Sequence, residues 1–250
     1  CQDVTLSGVN YLTDNIFTVE RDEAVTGPYL PYNTKALKGQ VIKGKTPCGG
    51  AVFSLPLEGG EPKLVAWGLR NPFGIGWAGG KLYVAENGFD ERGSRPVWGA
   101  GDAFWEINEG TWYGWPDFSA GKSIVNDEEF KSPGGSKVEA TLLNYPNLPP
   151  KPAGILGVHS ASCGFDFSTN QNFGYVGQAF IAQFGDMAPE VGKVLFPVGF
   201  KIVRLNVDGS IEDFAANKGK RNGPASWLKK GGLERPVDAE FSRDGSALYI

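Results

Sequence analysis

The chain has few of the residues on which metal and nucleophilic chemistry usually depend. Its 250 residues include one histidine, His159, and three cysteines. A mechanism that needs two histidines cannot run on this chain alone. Cys1, Cys48 and Cys163 form no CxxC pair, which argues against a thiolate metal site. Two alternatives remain for them: a Cys1–Cys48 disulfide if the protein is exported, or three small buried residues or free thiols.

Excess positive charge and long apolar runs are also missing. The net charge is −4 and the sequence pI is near 5.2. Because phosphate binding needs a basic face, this balance argues against a nucleic-acid partner. No apolar run approaches the roughly 20 residues that a membrane span requires, so the sequence predicts no such span.

Glycine, proline and aromatic residues are abundant. There are 36 glycines and 17 prolines, and 12% of the residues are aromatic. Frequent turns combined with large side chains favour many short strands over long helices. The length allows one large all-β domain or two small ones. Cys1 and the terminal residues 248–250 look like cuts through a longer protein, so we expect a fragment.

Short hairpin patterns recur along the chain. Residues 51–57, 104–110 and 200–207 alternate apolar and polar positions, and an acidic residue and glycine follow the apolar positions in a turn. A second type of strand–turn–strand unit covers residues 71–85 and 235–250. A third copy of it covers residues 162–182, and long loops are expected over 118–138 and 215–233.

Two hairpin types that recur in this way are typical of four-stranded propeller blades. We therefore predict an all-β fold, a β-propeller with about three to four blades over residues 51–250. Residues 1–50 are expected to form a loop-rich lead-in packed on that domain. An irregular β-sandwich explains the strands less well, because it predicts no such recurrence.

Four ordered elements resemble the glucose/sorbosone dehydrogenase family. Residues 67–74 read WGLRNPFG, residues 82–88 read LYVAENG, and residues 112–117 read WYGWPD. The charged segment 90–98 and Asp102 lie between the last two. Weaker matches extend the resemblance to residues around 159–161, 199–204 and 235–238.

The resemblance implies a six-bladed propeller that carries pyrroloquinoline quinone (PQQ) over its channel, with Ca²⁺ bound beneath the quinone. The family oxidises sugar aldehydes or hemiacetals, passing a hydride to the quinone after a histidine abstracts a proton. The implied partners are a small-molecule sugar or aldehyde and an electron acceptor that the sequence leaves unknown. The implied location is periplasmic or extracellular.

The cofactor-binding candidates follow from the repeats and the resemblance together. Asn71 and Arg235 occupy equivalent positions at the start of innermost strands, and His159 stands just ahead of a third. PQQ carries three carboxylates and an o-quinone, which suit a guanidinium and neutral donors. Asn71, Arg70, Gly88 and Arg235 are therefore the cofactor-binding candidates. The alternatives are a turn residue for Asn71, a contact with a neighbouring blade for Arg70 and a surface salt bridge for Arg235.

The metal candidates come from the resemblance. Gly88 and Phe89 match the two residues whose carbonyls hold the catalytic Ca²⁺, although the family usually has proline where Phe89 stands. Asp102 and the carbonyl of Tyr113 match a structural Ca²⁺ site, weakened because Ala103 replaces the usual glutamate. Without a metal, Gly88 is expected to be a turn glycine at positive φ, and the 112–116 block to be aromatic packing.

His159 is the catalytic candidate, with three readings left open. It acts as the proton-abstracting base, lines the pocket, or has a hydrogen-bonded structural role. The family's base normally comes from an earlier blade, which favours pocket lining over catalysis. Asp90, Glu91, Arg92 and Arg95 are expected to form a solvated charged loop, with catalytic use a minority reading.

Three functions compete. The first is a PQQ- and Ca²⁺-dependent sugar or aldehyde dehydrogenase, with little turnover expected from this chain alone. The second is a non-catalytic propeller that binds glycans or proteins, because fold alone does not assign function. The third is a Ca²⁺-dependent lactonase, for which Asn71 lacks convincing partner ligands.

Overall fold

The computed structural model describes residues 1–14, 23–91, 95–187, 194–219, 222–229 and 231–250. These residues form short strands, with one 3₁₀ turn (Glu128–Phe130) and one four-residue helix, α1 (Ala225–Leu228). The strands are β1 (Val4–Thr5), β2 (Tyr11–Asp14), β3 (Glu23–Thr26), β4 (Val41–Ile42), β5 (Ala51–Ser54), β6 (Lys63–Trp67), β7 (Pro72–Ala78), β8 (Lys81–Glu86), β9 (Gly101–Ile107), β10 (Thr111–Trp112), β11 (Phe118–Ser119), β12 (Lys122–Ser123), β13 (Gly154–Val158), β14 (Ser162–Phe167), β15 (Ala179–Gln183), β16 (Lys201–Leu205), β17 (Ile211–Ala216), β18 (Glu240–Phe241) and β19 (Leu248–Tyr249). The predicted all-β class is confirmed. Within the described ranges, no helix is long and apolar enough to cross a membrane.

The chain divides into two compact units. The first contains residues 1–69, 90–98 and 109–150. The second contains residues 70–89, 99–108 and 151–250. The stretch from Trp67 to Pro116, which carries the sequence motifs, therefore contributes to both units.

The first unit is built from small sheets around an aromatic core. Strand β6 pairs antiparallel with β5 and parallel with β10, and β1 pairs with β4. Leu6 and Ala36, from the first fifty residues, pack in one cluster with Trp67 and Trp112. Cys1 and Cys48 form the disulfide that the sequence left open, with their Cα atoms 5.7 Å apart. Cys163, in the second unit, is a buried free thiol.

The aromatic block serves as packing in the first unit. Trp112 is buried, stacks on Tyr145 with ring centroids 5.7 Å apart, and meets the Phe118 ring edge-on. Gly68 makes room for it, since a Cβ there would lie 2.2 Å from the Trp112 ring. Aromatic packing, the alternative role predicted for this block, therefore explains the burial of Trp112.

Arg95 differs from the solvated loop residue that the sequence predicted. Its side chain is 8% exposed, and its Nη2 lies 2.6 Å from Oδ1 of Asp117, which is fully buried. Asp117 also accepts hydrogen bonds from the backbone N–H groups of Thr141 and Leu142. The prediction for Arg95 was wrong because a buried carboxylate recruits it as a counter-ion. Arg92 lies outside the described residues.

The second unit contains two four-stranded antiparallel sheets and a hairpin. Their strand orders are β13-β9-β8-β7 and β14-β15-β16-β17, and β18 pairs with β19. The glycine turns at 79–80 and 209, all at positive φ, connect β7 to β8 and β16 to β17. The strand–turn–strand units predicted over 71–85, 162–182 and 235–250 are confirmed, and residues 200–207 begin the β16–β17 hairpin. Residues 51–57 likewise begin the β5–β6 hairpin, whereas the strand after 104–110, β10, pairs with β6 and not with β9. The expected loop 118–138 instead contains β11, β12 and the 3₁₀ turn, and 215–233 contains α1.

Both faces of the second sheet are covered. One face packs against the first sheet through Phe104, Phe165 and Ile181. The other face packs against the β18–β19 hairpin through Phe180 and Phe241. This double cover explains why every residue of β15 is buried.

Candidate functional site

Strand ends of the second unit are linked by a continuous series of hydrogen bonds. The Asn71 side-chain amide, just before β7, donates to Oδ1 of Asn87 at 3.2 Å. The Asn87 amide, just after β8, donates to the Ser162 carbonyl at 2.7 Å. Farther along, the Gly185 N–H donates to the Ser160 carbonyl at 3.0 Å. The structure thus connects the start of β7 to the segment that contains His159.

Arg235 joins the same series of bonds. Its Nη1 donates to the Gly185 carbonyl at 2.8 Å. Its guanidinium lies over the rings of Phe184 and Phe200, 4.5 Å and 5.1 Å from their centroids. A guanidinium stacked on aromatic faces is held in a fixed plane. Arg235 is therefore held near the start of β16 by a main-chain carbonyl and two aromatic rings.

Arg70 and Asn71 are fixed to the end of β8. The Arg70 N–H donates to Oε1 of Glu86, and its Nη1 lies 3.4 Å from the Asn87 carbonyl. The Asn87 N–H donates to the Asn71 carbonyl at 3.0 Å. The Arg70 guanidinium lies 5.7 Å from the centroid of Phe89. The two adjacent cofactor-binding candidates are thus held by the consecutive residues Glu86 and Asn87 and by the ring of Phe89.

Glu86 is a buried carboxylate that sequence reasoning did not single out. It is 8% exposed, and Trp105 Nε1 donates to its Oε2 at 2.6 Å. Burial raises the pKa of Glu86 to about 7, although the hydrogen bonds from Arg70 and Trp105 oppose that rise. The motif at 82–88 contained Glu86 and Asn87, but only as part of a turn pattern.

Gly88 owes its identity to a close approach and not to a positive φ. A Cβ at this position would lie 2.6 Å from the Gly101 carbonyl oxygen and 2.7 Å from that of Ala100. Its φ is not positive, so the predicted turn-glycine conformation was wrong. The backbone of Gly88 is pressed against the start of β9, where any side chain would collide.

Asp102 has both carboxylate oxygens engaged by protein donors. Oδ1 accepts from the Gly88 N–H at 2.9 Å. Oδ2 accepts from the Ser162 N–H at 2.8 Å and from the Ser160 hydroxyl at 2.9 Å. Asp102 is 2% exposed, and burial raises its pKa against the pull of these bonds. An oxygen surrounded by N–H and O–H donors is poorly suited to a cation, so these contacts do not fit the proposed structural Ca²⁺ site.

Tyr113, the other residue of that predicted site, is buried in the first unit. Within the described ranges, no group of three or more histidine, cysteine or acidic side chains is arranged to hold a metal ion. Main-chain carbonyls, the Ca²⁺ ligands predicted at Gly88 and Phe89, do not require such a group.

His159 lies in a strained turn. It has a φ of 58° and Ala161 has a φ of 51°, in the left-handed region that residues with side chains rarely adopt. The His159 side chain is 6% exposed, and its Nδ1 lies 3.9 Å from Oδ2 of Asp186. Strained residues of this kind cluster at functional sites. Its burial places the imidazole away from direct contact with solvent.

A separate cavity of about 460 Å³ is lined by β7, β14 and residues 237–240. Asp166, Asp238 and Glu240 contribute acidic side chains to its lining. Oδ2 of Asp166 accepts from the Phe241 N–H, and Oδ1 of Asp238 accepts from the Ala239 N–H. An acidic lining repels a tricarboxylate such as PQQ, so this cavity is distinct from the candidate quinone site.

Comparison with known proteins gives structural neighbours only. No family model and no curated protein sequence matches the chain. The soluble aldose sugar dehydrogenase of Escherichia coli, in its apo form, is 17% identical with a TM-score of 0.43, covering 73% of this chain and 42% of its own. Two structures named glucose dehydrogenase are each 19% identical with TM-scores of 0.45. They cover 84% and 76% of this chain, and 49% and 44% of their own. The chain thus spans less than half the length of each neighbour, and all three bear the names of sugar dehydrogenases.

Proposed function

We propose that this chain is part of a PQQ- and Ca²⁺-dependent oxidoreductase that oxidises a sugar or sugar aldehyde. The observation that carries the proposal is the hydrogen-bonded series from Asn71 through Asn87 to Ser162, with Arg70 beside it. It supplies an exposed neutral amide and a guanidinium on one ordered turn. We further propose a propeller fold, with about three to four of six blades in this chain.

The donor set fits the quinone. Arg70 and Arg235 would each bind a carboxylate of PQQ, and Asn71 would donate to a quinone or carboxylate oxygen. The pre-ordering of Arg235 between two phenylalanine rings lowers the entropy lost on binding. When bound, PQQ supplies the hydride acceptor that the protein side chains lack.

The main-chain carbonyls of Gly88 and Phe89 would hold the catalytic Ca²⁺, which prefers oxygen ligands. Asp102 is left out of the metal proposal because its oxygens accept three hydrogen bonds. His159 is proposed to order the site near Asp186, since a role as base would require its buried imidazole to turn outward. The disulfide Cys1–Cys48 supports a periplasmic or extracellular location, where disulfides persist.

The test is reconstitution of the full-length protein with PQQ and Ca²⁺, followed by dye-linked oxidation of a panel of aldoses. The proposal predicts PQQ-dependent dye reduction that Asn71→Ala strongly reduces. Asn147→Ala is the matched control, because Asn147 is exposed and donates only to the adjacent Leu148 carbonyl. Absence of PQQ-dependent turnover with every sugar would reject the enzyme.

A non-catalytic binding propeller is the second candidate, and the burial of His159 favours it. In that case the full-length protein binds glycans on an array without binding PQQ.

A further inference from the structure

Glu86 is in direct contact with the turn that carries Arg70 and Asn71. It is the last residue of β8, and its carboxylate is enclosed by neighbouring backbone and by the Trp105 indole. One oxygen accepts from the Arg70 N–H, and the other accepts from Trp105 Nε1 at 2.6 Å. Each oxygen of the carboxylate therefore has a specific donor from a different segment.

We propose that Glu86 is a positioning residue for the quinone-binding pair Arg70 and Asn71. This inference rests on the proposed function, because it assigns Glu86 a task in that same site. Glu86 does not touch the cofactor. Its carboxylate accepts a hydrogen bond from the Arg70 N–H and so fixes the Arg70 backbone. This sets the direction in which the Arg70 guanidinium and the Asn71 amide point.

The surrounding contacts make this turn depend on Glu86. Asn87 also contacts the turn, through its carbonyl to Arg70 and its side chain and N–H to Asn71. Pro72 follows Asn71 and has no N–H to donate. With the Glu86 bond removed, the Arg70 N–H loses a buried acceptor.

The charge and shape of a carboxylate matter here. Arg70 contributes positive charge near Glu86, and Asp102 contributes negative charge. A glutamine in this place keeps the size but offers one acceptor oxygen instead of two. Its NH₂ group would face either the Arg70 N–H or the Trp105 indole N–H, both of which are donors. Glu86→Gln therefore loses one of the two bonds and the negative charge of the acceptor, so the contact with the Arg70 N–H is lost or weakened in either orientation without a change in packed volume.

Trp105→Phe provides the matched control. It removes the other donor to Glu86 while leaving the Arg70–Glu86 bond in place. Trp105 is 1% exposed, so this variant has a packing cost that Glu86→Gln does not have, which makes it a strict control for a purely structural effect. If Glu86 only stabilised the fold, Trp105→Phe would disturb the Arg70 turn at least as much as Glu86→Gln.

The experiment uses the full-length protein and two readouts. The first is PQQ affinity in saturating Ca²⁺, where we expect Glu86→Gln to weaken binding by about tenfold or more and Trp105→Phe to have a much smaller effect. The second needs no cofactor: NMR with ¹⁵N-labelled arginine and asparagine follows the Arg70 backbone amide and the Asn71 side-chain amide. Both signals should shift in Glu86→Gln and stay in place in Trp105→Phe.

The two readouts separate failure of the inference from failure of the function. Equal PQQ affinity in Glu86→Gln and wild type would overturn the positioning role, as would unmoved Arg70 and Asn71 signals. If wild type binds no PQQ, the proposed function fails and the NMR signals alone decide the role of Glu86. If Glu86→Gln does not fold, hydrogen exchange of the Arg70 amide in wild type decides: slow exchange supports the bond, and exchange at the unprotected rate contradicts it.

Discussion

The side-chain amide of Asn87 donates a 2.7 Å hydrogen bond to the main-chain carbonyl of Ser162. This bond joins the end of β8 in one sheet to the start of β14 in the next. The same side chain accepts from Asn71, so one residue serves both inter-sheet packing and the candidate quinone site. Its removal has consequences for stability as well as for binding.

Asn87→Ala should lower the free energy of unfolding by about 1 to 3 kcal/mol, because it leaves the partly buried Ser162 carbonyl without this donor. Urea denaturation of the full-length protein measures the change. Asn147→Ala, which removes only a bond to the next residue, should leave the unfolding midpoint within error. Equal stability of the two variants would mean that the inter-sheet bond is not formed in solution.

The buried pair of Arg95 and Asp117 predicts a larger loss in the first unit. Arg95→Ala leaves a fully buried carboxylate without its counter-ion and should cost about 3 to 5 kcal/mol. The exposed pair of Lys81 and Glu106 is the comparison, and Lys81→Ala should cost less than about 1 kcal/mol. Thermal or urea unfolding checks both values. Similar small losses would show that Arg95 is solvated, as the sequence suggested.

Cys163 should be unreactive in the folded protein. Burial raises the pKa of its thiol to about 11, so the thiolate that reacts is scarce at neutral pH. A chromogenic disulfide reagent should label no thiol natively and one thiol after denaturation, since Cys1 and Cys48 are paired. Rapid native labelling of Cys163 would contradict its burial.

The pKa values of buried tyrosines predict the pH at which the first unit loses stability. Burial raises the pKa of Tyr11 and of Tyr145 to about 12, from an ordinary value of 10.0. The folded state therefore favours the neutral phenol, and this contribution to stability is complete below pH 10 and lost as the pH rises through 12. Burial raises the pKa of Tyr29 in the same direction, so tyrosinate absorbance should show three phenols that titrate late in wild type and two in Tyr145→Phe. Titration of every tyrosine near pH 10 would show that these phenols are not buried in the folded protein.

The hairpins could be predicted from sequence because alternation and glycine turns are local signals. The bonds that complete the site are not local. Glu86 looked like one residue of a turn motif, and only the approach of Arg70 and Trp105 shows what its carboxylate does. Asp102 was predicted as a cation ligand from the family resemblance, yet three donors from two separate segments surround it. Gly88 illustrates the same point, since its requirement comes from carbonyls of β9 and not from its own φ.

The most direct test of the account is the affinity of the full-length protein for PQQ in the presence of Ca²⁺, compared between wild type and Asn71→Ala. Titration calorimetry of the apo protein measures it. The account predicts saturable PQQ binding that weakens by about tenfold or more when the Asn71 amide is removed, and that Asn147→Ala leaves unchanged. Absence of PQQ binding by wild type, or equal affinity in wild type and Asn71→Ala, would contradict it.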